Sequence, residues 1–159
     1  MTEIDRLIRG DLKLQQVCIV VRNLDKSMKN YQEILGIEPW KVHDFDESNW
    51  EDATYHGKPA KQRFRVALGM SGTTQVELIQ PLDGDNIYSD FLAKHGEGLH
   101  HLGHIHVDSV QIAIQSLGEK GVQCLQSGRI TKGSMQGYAA AYMDTVEMLG
   151  TIIELVGPV

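Results

Sequence analysis

Thr151–Pro158 reads TIIELVGP and Thr74–Pro81 reads TQVELIQP, so threonine, glutamate, leucine and proline recur in the same order at two places in the chain. Each segment is short, rich in Val, Ile and Leu, and closed by proline, which is the pattern of a buried strand. One carboxylate interrupts each apolar run. Burying a charged carboxylate without a partner costs several kcal/mol or forces it into the neutral form, so Glu77 and Glu154 each require a cation or a strong donor. For either residue taken singly, a solvent-facing position at a strand edge is the ordinary alternative. The repeated placement favours an acidic residue from each half meeting at one site.

Outward from these segments the rest of the chain falls into two matching halves. Residues 14–21 (LQQVCIVV) are strongly β-prone, and Arg22, Asn23 and Asp25 offer a turn and a helix cap. Leu24, Met28, Tyr31 and Leu35 mark one helical face, and Gly36 supplies a stop. A strand over 37–45 follows, then a polar stretch over 46–61 containing Trp50, Tyr55 and His56, which reads as a loop able to cover a pocket. Residues 62–70 and 74–80 form a hairpin across Ser71 and Gly72. After a connector over 82–98, with a short helix around 87–95, the pattern restarts. A strand over 99–107 precedes a helix marked by Val110, Ala113, Ile114 and Leu117 and ended by Gly121, and strands follow over 122–129, 138–144 and 151–156. Both halves read β-α-β-β-β, so the fold class is α+β with an internal duplication. The organisation expected is an extension over 1–13, modules over 14–81 and 99–159, and one domain overall.

Composition narrows the function. A chain of 159 residues and 17.7 kDa builds one compact domain. A net charge of -6 and a pI near 5.6 argue against binding nucleic acid or an anionic membrane. The first 14 residues are polar and charged, with only Ile4, Leu7 and Ile8 on a possible helical face, and no apolar run approaches bilayer length, so a cytoplasmic protein is expected. Cys18 and Cys124 lack CxxC spacing and read as small buried residues rather than a disulfide or zinc pair.

These segments carry a family resemblance over 14–156. LQQVCIVVRNLDKSMKNYQEILGI, VELIQPL, FLAKHGEGLHHLGHIHVDSV and GTIIELV are similar to the vicinal oxygen chelate superfamily, which includes glyoxalase I, methylmalonyl-CoA epimerase, bleomycin- and fosfomycin-resistance proteins and extradiol dioxygenases. The GEGLHH segment looks most like the epimerase branch. The resemblance implies two tandem βαβββ modules forming a half-open mixed sheet barrel around a metal groove, with one ligand from the first and last strand of each module. By position those ligands are Gln16, Glu77, His101 and Glu154, a set that resembles eukaryotic glyoxalase I, since the epimerases usually carry histidine where this chain has Gln16. A homodimer is also implied. Epimerases of this kind add a glutamate near the start of the third strand, whereas 56–63 holds Lys58, Lys61 and Gln62 and no carboxylate; Glu47 and Glu51 lie nearby.

Two glutamates, an amide oxygen and an imidazole suit one divalent ion, whether zinc, cobalt, nickel, manganese or magnesium. The function expected is a metal-dependent lyase or isomerase that moves a proton beside a carbonyl, on a small carbonyl compound or an acyl-CoA thioester. Glu154 and Glu77 are the candidate catalytic carboxylates, with Glu154 doubling as ligand and base. Arg129, Lys132 and Arg65 are candidates to meet an anionic group on the substrate, each with a solvated surface charge as the plain alternative, and Trp50 and Tyr55 are candidates for a lid. A non-catalytic small-molecule binder of the same fold is the competing reading. An extradiol dioxygenase is disfavoured because its iron site needs two histidines. Strand alternation places His101 on the face opposite His100, His104 and His106. One extra residue between His101 and the second helix, relative to the first module, predicts a β-bulge over 104–107.

Overall fold

The structure, a computed structural model, describes residues 14–159, so the expected helical face of Ile4, Leu7 and Ile8 lies outside the described residues. The chain runs β1 (Gln16–Val20), α1 (Leu24–Leu35), β2 (Lys41–Phe45), β3 (Trp50–Tyr55), β4 (Lys58–Pro59), β5 (Arg63–Ser71) and β6 (Thr74–Asp83). It continues through α2 (Ile87–His95), β7 (Gly98–His106), α3 (Val110–Gly118), β8 (Cys124–Ile130), β9 (Tyr138–Met143), α4 (Val146–Leu149) and β10 (Ile152–Pro158). Asn23, Asn86 and Ser109 cap the three longer helices by accepting from backbone N–H groups at Lys26, Ser89 and Ile112, which satisfies donors a helix start leaves free. Gly36 closes α1 with φ 67, a left-handed value that glycine adopts without a Cβ penalty. No helix among the described residues is long and apolar enough to cross a membrane.

All the strands join one mixed sheet in the order β2-β5-β6-β1-β7-β10-β9-β8-β3-β4. The first strands of the two halves pair antiparallel at its centre, and each is flanked by the parallel last strand of its own half. β2 and β3 lie near opposite ends of this order yet are joined by residues 46–49 alone, so the sheet must curl until its ends meet. Phe45, Trp50 and Phe64 seal that meeting: Phe45 stacks on Phe64 with ring centroids 5.0 Å apart, and Trp50 meets Phe64 edge-on at 5.7 Å. The convex side is covered by α1 on Val76, Leu78 and Ala67, and by α3 on Ala141, Met143 and Leu155. The concave side is left for the site.

The stretch expected to be a covering loop is instead strand in part, since β3 pairs antiparallel with β8. A bulge hides it in sequence. Between Glu51 and Thr54 the register slips by one residue, with Asp52 at φ 51, so the two-residue alternation that marks a strand is broken. Trp50 is therefore buried wall rather than lid, lying flat over Gly128. A Cβ at Gly128 would overlap the indole ring. Gly128→Ala is expected to lower unfolding stability by about 1–3 kcal/mol through overpacking, read as a lower denaturant midpoint at unchanged slope.

Candidate functional site

The central strands β6, β1, β7 and β10 carry two rows of side chains across the concave face. In one row Cys18 is the register partner of both Glu77 and His101. In the next, Gln16 is the partner of Gln75 on one side and Gly103 on the other. β10 pairs Ile153 with Leu102 and Leu155 with Ile105, so Gly103 and His104 together face the single residue Glu154, which is a β-bulge. Because Gly103 has no side chain, Gln16 and Glu154 close over it from either side. This bulge begins one residue before the predicted range.

A second bulge corrects the expectation from alternation. β1 pairs Cys18 with His101 but Ile19 with Leu99, which leaves His100 as an extra residue. His100 and His101 are consequently both buried. Their Nδ1 atoms lie 2.8 Å apart, and Nε2 of His101 is left for the site. If that Nε2 is to donate a lone pair, His101 must carry its proton on Nδ1 and give it to Nδ1 of a neutral His100. Burial first, and the neighbouring His101 second, push the His100 pKa down to about 3.

That shift sets a pH dependence. His100 stays neutral in the fold while the unfolded chain takes up a proton below about pH 6.5, so its contribution to stability is whole above that pH and is lost as the pH falls toward about 3. The expected slope from this residue is up to ~1.4 kcal/mol per pH unit. It should be absent from His100→Phe and appear as the difference between wild type and that variant, followed by denaturant unfolding across that range.

The four residues singled out by position meet at one point. His101 is 0% exposed, and Gln16, Glu77 and Glu154 are 4%, 7% and 5% exposed. Nε2 of His101 makes no hydrogen bond, although Glu77 Oε2 stands 3.4 Å and Glu154 Oε2 4.0 Å away. The Gln16 side-chain amide faces the same carboxylate oxygens, 3.1 Å from Glu154 and 3.3 Å from Glu77: turned nitrogen-inward it donates to both, and turned oxygen-inward it needs a cation between them. Two carboxylate oxygens, the Gln16 amide and an imidazole nitrogen with no hydrogen-bond partner converge there, an arrangement that a cation relieves. Gln16, Glu77, His101 and Glu154 could thus hold a divalent ion, their two carboxylates balancing its charge. Glu154 is fixed from behind, with Tyr142 donating to Oε1 at 2.9 Å and the His104 backbone N–H donating to Oε2 at 3.0 Å. Burial, then the Glu77 charge, raise the Glu154 pKa, while His101 and the two donors oppose the rise. His104 adopts φ 59 at the bulge to aim that N–H.

A cavity of about 500 Å³ opens above this cluster, its lining running from Gln16, Glu77 and Glu154 to the exposed Lys41, His43 and Lys132. Trp50 contributes a wall, its Nε1 donating to Gln62 at 2.9 Å. Arg65 and Arg129 do not line it. Arg65 pairs with Asp44 at 3.1 Å and Asp25 at 3.5 Å, and Arg129 pairs with Glu51 and Asp52, both at 3.0 Å. Tyr55 does not line it either, donating instead to Asp90 at 2.7 Å. Nor does the segment before β5 send a carboxylate in. Gln62 is buried between Trp50, Gln126 and the Asp85 carbonyl, and Glu47 pairs with Lys61 at 3.3 Å.

The family model of the glyoxalase/bleomycin resistance protein/dioxygenase superfamily matches residues 15–142. The chain belongs to this superfamily. Among its relatives, bovine mitochondrial methylmalonyl-CoA epimerase is 27% identical over 144 residues, covering 90% of this chain and 73% of that protein. The crystal structure of the Mycobacterium tuberculosis methylmalonyl-CoA epimerase superposes with a TM-score of 0.62 at 25% identity, covering 91% of this chain and 87% of that one. A variant of the Streptomyces coelicolor methylmalonyl-CoA epimerase, in complex with 2-nitronate-propionyl-CoA, shares the fold with a TM-score of 0.66 at 24% identity, covering 92% of this chain and 94% of that one.

Within this glyoxalase-superfamily frame, several residues at the site had escaped sequence reading. Cys18, read only as a small buried residue, lies with Glu77 and His101 in one cluster of potential ligand atoms. Burial, reinforced by the Glu77 and Glu154 charges, raises its thiol pKa well above the ordinary value and keeps it protonated. Gln75 was missed as well, although its place two residues before Glu77 sets it on the same face. Tyr142 had no such signal, because only the pairing of β9 with β10 sets it opposite Glu154.

Proposed function

We propose that this protein is a divalent-metal-dependent isomerase or lyase that moves a proton at the carbon beside a carbonyl, on an acyl-CoA thioester or a small carbonyl compound. The observation that carries this reading is the convergence of the Gln16 amide, two carboxylate oxygens and the unpartnered Nε2 of His101 beneath the cavity. A bound divalent ion would supply Lewis-acid stabilisation of the oxyanion that forms when the carbon is deprotonated. Glu77 and Glu154 come from strands on either side of the central β1–β7 pair, which suits one to take a proton and the other to return it. The raised pKa of Glu154 brings it toward the range where proton transfer is efficient. Tyr142 and the His104 N–H hold that carboxylate in place, and Lys132 at the exposed end of the lining is placed to meet an anionic part of the substrate. The likeness to methylmalonyl-CoA epimerases supports acyl-CoA thioesters as the first substrates to try.

Two measurements test it. A divalent ion at about 100 times its Kd should add ~2.7 kcal/mol of stability, or about 5–10 °C in Tm for a chain of this size, and a chelator should reverse the gain. Candidate thioesters and 2-oxo compounds should exchange their acidic proton in deuterated water in the presence of the loaded protein. Stoichiometric ion binding with no exchange on any candidate would favour a binding protein instead.

A further inference from the structure

We propose that Gln75 is a positioning residue for the cation site: it holds the Gln16 amide with its oxygen toward the ion, and it turns over together with Gln16 when the ion leaves. The inference rests on the metal-site reading above. Gln16 and Gln75 are register partners on the parallel pair β1–β6, and Gln16 Nε2 donates to Gln75 Oε1 at 2.7 Å. That bond fixes which atom of the Gln16 amide looks into the site. With the nitrogen tied to Gln75, the oxygen stands 3.1 Å and 3.3 Å from the carboxylates of Glu154 and Glu77.

Facing two carboxylates, an amide oxygen is repelled unless a cation lies between them. Without one, rotation of the Gln16 amide by half a turn relieves the clash, because its N–H groups then donate to both carboxylates over the same distances. The rotation brings the Gln16 oxygen against Gln75 Oε1 at 2.7 Å, acceptor against acceptor. Gln75 must therefore rotate as well and donate. A glutamine can do so since its amide offers an acceptor on one side and a donor on the other. The two amides form a coupled pair with an ion-bound and an ion-free arrangement, and in each the contact between them sets a donor against an acceptor.

Two variants of the full chain separate this role from mere packing. Gln75→Glu keeps an acceptor but can no longer donate, so it favours the ion-bound arrangement. Gln75→Met keeps the bulk and removes both functions. Co2+ affinity by chelator competition is expected to fall by about 10–100-fold in Gln75→Met, as for other groups that orient a ligand, and to be retained in Gln75→Glu. The visible absorption of bound Co2+ reports the ligand set; it should match wild type in Gln75→Glu and differ in Gln75→Met. Thermal unfolding in chelator should leave Gln75→Met as stable as wild type, showing that any lost affinity is not lost folding. Wild type that binds no Co2+ would overturn the site reading itself. Wild type that binds, alongside Gln75→Met with unchanged affinity and spectrum, would overturn the coupled pair alone.

Discussion

Glu154→Gln is expected to reduce proton exchange on the best substrate by about 100- to 10,000-fold, the contribution of a positioned general base, while leaving the chain folded. The two effects have separate physical origins. Exchange falls because the amide cannot accept the proton and weakens the charge balance of the site. Folding survives because the shape is kept and Tyr142 can still donate to the amide oxygen, as it now donates to Glu154 at 2.9 Å. In the ion-free protein the substitution should be stabilising at neutral pH. The Glu154 pKa is raised in the fold, so the ionised carboxylate costs stability that appears as the pH rises through the unfolded value near 4.3 toward the folded one, and a neutral amide escapes that cost. Paired unfolding curves with chelator and with ion should therefore cross: the variant more stable without the ion, wild type more stable with it. A variant that still exchanged protons at the wild-type rate would remove Glu154 from the chemistry.

Gly103→Ala is expected to lower ion affinity beyond the roughly 10–100-fold range of outer-shell changes, although the alanine carries no polar group. Its Cβ would stand 2.5 Å from Gln16 Oε1, 2.6 Å from Glu154 Oε2 and 3.1 Å from Cδ2 of His101. Three of the proposed ligands would have to withdraw from the point where they meet. Gly103 is absent from the positive-φ residues, so its backbone accepts alanine without the strain that a left-handed position would impose. Calorimetric titration with Ni2+ or Co2+ should show the loss while the far-ultraviolet circular dichroism stays that of wild type. Unchanged affinity would mean that the ion sits elsewhere.

How much of this was written in the chain differs from element to element. α2 was legible as 87–95 because Asn86 caps it and Gly96 ends it, both local signals. The strands β1, β5, β6, β9 and β10 were legible because their faces are uniformly apolar or alternate cleanly. β3 was not, because its bulge at Asp52 breaks the alternation and its pairing partner lies in the other half of the chain. The same limit applied to the charged candidates. Lys132 reaches the cavity lining, but Arg65 and Arg129 were indistinguishable from it in sequence and spend their charge on Asp44, Asp25, Glu51 and Asp52.

By itself the sequence determined that two strands each carry a carboxylate among apolar neighbours, and that the chain repeats β-α-β-β-β around them. Those facts follow from local periodicity and from the cost of burying a charge. Only the tertiary structure decided which polar groups face one another: Tyr142 behind Glu154, His100 behind His101, Gln75 beside Gln16, and the gap at Gly103. Register across strands far apart in the chain, shifted by single-residue bulges, sets those contacts, and no local pattern encodes a register.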